Sequence, residues 1–322
     1  MKAIVYREYG SPDVLRLEEV ATPAPAADEV LVKVHAASVN DWDWGLLIGK
    51  PLANRVGGIR TPKHPTLGSD IAGSVEAVGS QVTRFRAGDE VFGDLSQCGF
   101  GAFAEFACAR ETALTLKPAG LSWEQAAAVP QAGALAVAGL RSRRPIALGQ
   151  QILVNGAGGG AGSFAVQIAK SYGAEVTGVD KTGKLELMRA VGADHVIDYT
   201  REDFTQNGRQ YDLILEAAAH RSISDYRRAL RPQGVCNIIG GSIPRILAAV
   251  LLGPLSAAVG GKRVRLIVLK ANRPDDVALL TRLLEAGSVV PAVDRVFPLA
   301  QTAEALRYFG TGEHKGKIVI TM

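Results

Sequence analysis

Residues 151–170 of this 322-residue chain, QILVNGAGGGAGSFAVQIAK, run from an apolar strand through a cluster of glycines into a helix. That order constrains the fold more than any other feature, because a strand feeding a helix over a tight turn opens a βαβ unit. Phe164, Ala165 and Ile168 recur at helical spacing, so one face of the segment after the glycines is predicted to be buried. Glycines let the turn tighten, let backbone N–H groups approach an anion and let the helix close on its strand. The helix start adds partial positive charge. Gly156, Ala157, Gly158, Gly159, Gly160, Ala161 and Gly162 are therefore predicted to cradle a pyrophosphate. A strict G-x-G-x-x-G is missing. The register that fits is G-x-x-G-x-x-G at Gly156, Gly159 and Gly162, and a plain packing turn is the alternative. Asp180, 18 residues beyond Gly162 and ending the next strand, favours a dinucleotide, since a carboxylate there can accept from ribose hydroxyls.

The rest of the chain supports an α/β fold with two domains. With 47% apolar residues there is enough to bury two ordinary cores. The first 110 or so residues read as short extended pieces, such as EVLVKV at 29–34 and IAGSVEAV at 71–78, between Gly, Pro and Asp punctuation. At Ser122 a capping-box spacing, S-W-E-Q, opens an alanine-rich helical run broken at Pro130. Beyond it strands alternate with helices: QILVN near 151, a helix from Gly162, EVTGV near 175, a helix from Gly183, HVID near 195, YDLIL near 211, a helix through Tyr226, VCNII near 235 and VRLIVL near 264. Parallel strands need crossover helices, so this order predicts a doubly wound parallel sheet over 124–271. Two further helices (DDVALLTRLLEAG and QTAEALRYF) and a closing strand, KIVITM, are assigned back to the first domain, giving 1–123 with 272–322.

Several classes are excluded. Thirty-six basic against 32 acidic residues, with no long run of either sign, give no nucleic-acid stripe. Three cysteines outside any C-x-x-C pair and five scattered histidines predict neither a disulfide framework nor a metal site. The opening MKAIVYREYG has no basic n-region before a long apolar stretch, so the expected compartment is the cytoplasm. The most apolar run, ILAAVLLGPLSAAVG at 246–260, falls short of the roughly 20 residues a membrane span needs and is interrupted by Gly253-Pro254. It is expected to line a substrate mouth or to form a homodimer contact.

HPTLGSDIAGSVEAVGSQV at 64–82, FRAGDEVFG at 85–93, GAFAEFACA at 101–109, the glycine segment and GADHVIDY at 192–199 together resemble the medium-chain dehydrogenase/reductases, in order along essentially the whole chain. AASVNDWDW at 36–44 resembles the zinc-free quinone oxidoreductase and enone reductase branch. The resemblance implies a GroES-like first domain and a Rossmann second domain. In the zinc alcohol dehydrogenases a Cys ligand would stand at Asn40 and a Gly-His-Glu would replace Gly68-Ser69-Asp70. The cysteine-rich lobe expected after GDEV is also missing.

The implied activity is zinc-independent hydride transfer from NAD(P)H to a small electrophile, a quinone or an α,β-unsaturated carbonyl. By resemblance Asn40 lies near the nicotinamide, holding its carboxamide or donating to a substrate oxygen, with Asp43 and Asp41 as alternative polar groups and Trp42 and Trp44 as walls or core. Lys181, Lys184 and Tyr199 resemble the residues that hold an adenosine 2′-phosphate, whereas Asp180 suits an unphosphorylated ribose and NADH. NADPH is expected if Asp180 turns toward a lysine, because an internally paired acid is largely neutralised. An alcohol dehydrogenase-like enzyme and a non-catalytic dinucleotide-binding redox sensor are the competing readings.

Overall fold

The computed structural model describes residues 1–55, 58–142, 145–254 and 260–322. It divides into two units, Met1–Gln131 with Ala271–Thr281 and Pro291–Met322, and Ala132–Lys270 with Arg282–Val290.

The second unit is built on a six-stranded sheet in the spatial order His195–Asp198, Glu175–Asp180, Gln151–Asn155, Tyr211–Glu216, Leu230–Ile238, Arg263–Leu266. Every neighbouring pair is parallel. The first three strands grow outward in one direction and the last three in the other, so the order reverses between Gln151–Asn155 and Tyr211–Glu216. In such sheets the carboxyl ends at the reversal leave a crevice for ligand. Ile152, Leu153 and Val154 are all fully buried, as strands covered on both faces must be, and each contributes about 1.5–3 kcal/mol. The helix after this strand is Gly160–Ser171, beginning two residues earlier than its apolar spacing suggests. The helix expected from Gly183 instead opens as a 3-10 turn, Thr182–Lys184, before Leu185–Ala190.

The first unit carries a seven-stranded sheet in which Val293–Pro298, Lys317–Thr321, Glu29–Ser38, Asp70–Val78, Glu90–Asp94 and Leu114–Leu116 are successive neighbours, and Phe106–Arg110 also pairs with Glu29–Ser38. Apart from the parallel contact between Val293–Pro298 and Lys317–Thr321, pairing is antiparallel. Glu29–Ser38 is the central strand, with Val30, Val32 and Val34 turned into the core and Lys33 exposed. It registers Ser38 against Asp70, which in turn faces Asp94, so one end of the sheet carries a row of polar side chains. Ser122 and Gln125 form the capping box expected of S-W-E-Q, and Pro130 starts a new helix, Pro130–Leu140. Two elements are not legible in the sequence pattern, the helix Asp41–Ile48 and the strand Val293–Pro298.

The apolar run forms the helix Ile243–Leu252, which leaves Ile243, Leu247, Val250, Leu251 and Leu252 exposed; its continuation over 255–259 lies outside the described residues. Among the described residues no helix is long and apolar enough to cross a membrane.

Candidate functional site

In the second unit the glycine segment is shaped by backbone contacts that side chains would prevent. Gly156 sits at φ +84°, in the left-handed region that favours glycine, and accepts the N–H of Gly159 at 3.0 Å. A Cβ on Gly162 would lie 2.0 Å from the Gly156 carbonyl oxygen and 2.7 Å from Ala157 Cα. The start of the Gly160–Ser171 helix is thus pressed onto the turn, and its cap residue, Gly159, has no side chain to take up the first-turn N–H groups. Those donors are what an anion would use. Ala157 is fully buried, against Gly178 of the next strand.

Asp180 is turned into this segment. One carboxylate oxygen accepts the Gly158 N–H at 3.0 Å, the other accepts the Lys181 N–H at 2.9 Å, and Lys184 Nζ lies 4.0 Å from it. Both Asp180 and Lys184 are buried. A Cβ on Gly158 would come 2.6 Å from Lys184 Cβ and 3.1 Å from Asp180 Oδ2, so the missing side chain makes room for the acid and the lysine beneath the loop. Tyr199 follows the neighbouring strand, donates its backbone N–H to the Asp180 carbonyl at 3.1 Å and leaves its ring half exposed. Asp198 accepts from the Thr182 and Thr200 hydroxyls and has Arg201 at 3.7 Å, a cation that the sequence analysis did not single out. At the reversal of strand order, Glu216 is fully buried and accepts from Asn155 Nδ2 at 2.7 Å and Ala218 N at 2.9 Å, tying the two strand ends together.

In the first unit Asn40 caps the helix Asp41–Ile48. Asp43 is fully enclosed, and its two oxygens accept the N–H groups of Asn40 at 2.8 Å and Gly68 at 2.9 Å. Burial pushes its carboxyl up to about 7, although both N–H groups pull the other way. Asn40 Nδ2 donates to Ser69 Oγ at 3.1 Å, and its Oδ1 accepts from Lys317 Nζ at 2.5 Å. Lys317 also donates to the Val39 carbonyl at 3.0 Å and stands 3.9 Å from Asp70 Oδ2. Asp70 is fully buried and further held by Ser38 Oγ at 3.2 Å and the Gln131 N–H. Burial raises Asp70 to about 7 against the opposing pull of Lys317, and it raises Asp94 as well. The Lys317 ammonium is lowered by its own burial, while Asp70, Asp43, Asp41 and Asp94 draw it back up.

The structure therefore brings Asn40 and Asp43 together in one unit and the glycine segment, Asp180, Lys181, Lys184 and Tyr199 together in the other. Lys317 was missed by sequence reasoning, because a lysine opening an apolar strand carries no local mark and its partner Asn40 is 277 residues away. Trp44 packs toward Phe309, whereas Trp42 is 42% exposed. The histidines serve as packing or surface groups: His35 stacks on Trp123, His314 on Phe309, and His195 meets Glu175. Among the described residues no cluster of His, Cys, Asp and Glu could hold a metal ion.

Comparison with known proteins places these features among relatives. Residues 26–119 match the model of the alcohol dehydrogenase GroES-like domain, and residues 191–320 match the zinc-binding dehydrogenase model. The chain is 36% identical to 2-methylene-furan-3-one reductase of Solanum lycopersicum over 99% of its own length and 79% of the relative's. It is 35% identical, with the same shares covered, to the chloroplastic NADPH-dependent alkenal/one oxidoreductase of Arabidopsis thaliana. Among solved structures, the quinone oxidoreductase of Coxiella burnetii superposes with a TM-score of 0.88 at 26% identity, covering 100% of this chain and 99% of that one. The Escherichia coli quinone oxidoreductase complexed with NADPH gives 0.86 at 25% identity, with both chains fully covered.

Proposed function

Since this chain belongs to the medium-chain dehydrogenase/reductase family, alongside its quinone and enone oxidoreductases, we propose that it reduces quinones or α,β-unsaturated carbonyls with NADPH and without zinc. The observation that carries the reading is the donor set around Asn40. It consists of an amide, the Ser69 hydroxyl, buried carboxylates and an ammonium, with no thiolate or imidazole of the kind a catalytic zinc takes. Lys317 Nζ, 2.5 Å from the amide oxygen, would repel a dication there, so these residues do not fit zinc.

We assign the substrate to the GroES-like part, expected from sequence over 1–123 with 272–322, and the dinucleotide to the part expected over 124–271, with 124–131 grouped with the first unit and Arg282–Val290 with the second in the structure. A bound reduced nicotinamide supplies the hydride. The backbone from Gly156 to Gly162 and the first turn of its helix hold the pyrophosphate. Asp180 accepts the backbone N–H groups of Gly158 and Lys181 and has Lys184 beside it, so its charge is offset, and we assign a 2′-phosphate to the neighbourhood of Lys181, Lys184 and Tyr199, which argues for NADPH over NADH. Asn40 gives one N–H of its amide to Ser69 and presents the other to a carboxamide or a substrate oxygen. As the β-carbon of an enone is reduced, negative charge grows on the carbonyl oxygen, and a fixed neutral donor stabilises it. Asp43 acts through Asn40, fixing its backbone.

A cytoplasmic setting is the proposed one, resting on three free thiols, Cys98, Cys108 and Cys236; cell fractionation tests it. The activity is tested by following NADPH oxidation with a panel of alkenals, enones and quinones. Turnover of these acceptors is expected. Dinucleotide binding without turnover would instead mark a redox sensor, and oxidation of alcohols alone would mark an alcohol dehydrogenase.

A further inference from the structure

An asparagine amide is nearly symmetric in shape, and which end offers a donor depends on its neighbours. At Asn40 the choice is made by a group that can only donate. Lys317 carries three N–H bonds and no acceptor, so the atom 2.5 Å from it must be the amide oxygen. The nitrogen is then forced to the opposite side, where Ser69 Oγ takes one of its hydrogens at 3.1 Å. The ammonium is itself fixed. It donates to the Val39 carbonyl at 3.0 Å, pairs with Asp70 at 3.9 Å and is 3% exposed. Its strand is pinned beside the Asn40 segment by the Val39 N–H donating to the Ile318 carbonyl at 3.0 Å. A lysine buried this deeply loses its hydration and a large share of its side-chain freedom, which makes it a costly way merely to fill space.

We propose that Lys317 is a positioning residue for the reduction, holding the Asn40 amide in the one orientation that presents N–H rather than C=O to the bound carbonyl compound or carboxamide. This rests on the reading that Asn40 meets one of those groups. Asp70 completes the device by balancing the ammonium, and its backbone neighbour Ser69 supplies the second fix on the amide. Without Lys317 the amide is free to flip, and in the flipped form an oxygen faces the developing negative charge.

Three variants and two readouts test this. Lys317→Met keeps an unbranched side chain one atom shorter and removes its donors, Lys317→Gln retains an N–H donor, and Lys317→Met with Asp70→Asn removes the charge pair together, guarding against loss of folding through an unpaired Asp70. Lys317→Met and the double variant are expected to lower kcat by about ten- to a hundredfold, since a misdirected donor at a reacting centre costs that order. The dissociation constant of NADPH should change less than about threefold and Lys317→Gln should recover part of the rate. Adding Asn40→Ala to Lys317→Met should cost no more than Asn40→Ala alone. In cofactor-free protein labelled with 15N-asparagine, the Asn40 side-chain amide signals should be sharp in the wild type and broadened or displaced in Lys317→Met. A folded Lys317→Met protein with wild-type kcat and an unmoved Asn40 signal overturns the proposal while leaving Asn40 its role if Asn40→Ala is slow. Wild-type kcat in Asn40→Ala overturns the reading of Asn40 on which the proposal rests.

Discussion

Replacing Gly162 by alanine asks whether the close seat of the helix on the glycine turn is what binds the cofactor. The added methyl would sit 2.0 Å from the Gly156 carbonyl oxygen and 2.7 Å from both Gly156 C and Ala157 Cα, all of them backbone atoms. No rotamer relieves such a contact; the turn and the helix must separate by about 1 Å to restore ordinary packing. Overpacking of this kind costs about 1–3 kcal/mol, and the better helix propensity of alanine returns up to about 1 kcal/mol. Taking mid-range values, about 2 kcal/mol of crowding less about 0.5 kcal/mol of propensity, a net loss of about 1–2 kcal/mol falls on the segment proposed to present its N–H groups to the pyrophosphate, so NADPH affinity should drop about five- to thirtyfold. Gly183→Ala is the control, because nothing lies within 4 Å of the position its Cβ would take. Fluorescence titration with NADPH gives the affinities and urea unfolding the stabilities. Wild-type affinity and stability in Gly162→Ala, or equal damage from Gly183→Ala, would refute the argument that backbone crowding shapes the site.

If Lys184 meets the 2′-phosphate as proposed, Lys184→Ala should weaken NADPH by about 1–3 kcal/mol and NADH far less, since it removes that charge-assisted contact and the cation beside Asp180; equal weakening of both in the same titration counts against the 2′-phosphate assignment. Purified protein is expected to contain no stoichiometric zinc and to keep its turnover in a chelator, and activity lost to chelator and restored by zinc would reverse the metal reading. Burial holds the Asp43 pKa near 7, well above its unfolded value, so the folded state keeps a proton that the unfolded chain releases. Stability should therefore fall as pH rises from about 4 to about 7, by up to about 1.4 kcal/mol per pH unit for this proton. Urea midpoints across that window should show a slope that Asp43→Asn reduces. Leu251, 71% exposed on the apolar helix, should tolerate Glu without loss of stability but with a raised KM for apolar acceptors or a changed sedimentation coefficient, and no change in either counts against a functional face.

How much of this was legible in the sequence depends on how local each cause is. The strands Gln151–Asn155 and His195–Asp198 match their apolar runs residue for residue, because glycine turns or polar residues bound them. Leu230–Ile238 starts five residues before VCNII, since Leu230 already pairs with Tyr211 and a bulge, with Gln233 at φ +62°, separates it from the apolar stretch that begins at Val235. The helix Asp41–Ile48 was hidden by its D-W-D-W alternation, although Asn40 and Asp43, three residues apart, carried a capping signal that could have found it. In Val293–Pro298 only Phe297 is buried, so no alternation marks it as a strand. In the candidate site, the turn formed by the glycines and the place of Asp180 at a strand end were readable, but the direction in which Asp180 points was not. That depends on the space Gly158 leaves above Lys184, which is a property of the folded packing. The link from Lys317 to Asn40 lay beyond any spacing rule.

The closing strand Lys317–Thr321 has a consequence for the order in which this molecule is assembled. Both segments of the nucleotide unit lie earlier in the chain than Lys317, while Asn40 precedes them. During synthesis from the N-terminus the parallel sheet of the second unit is complete while Asn40 still lacks its Lys317 partner, and the contact joining those two closes a loop of 277 residues. On the proposed assignment of roles, cofactor capture would mature before the chemistry, and a chain that stops short of residue 317 should hold the dinucleotide as an idle carrier.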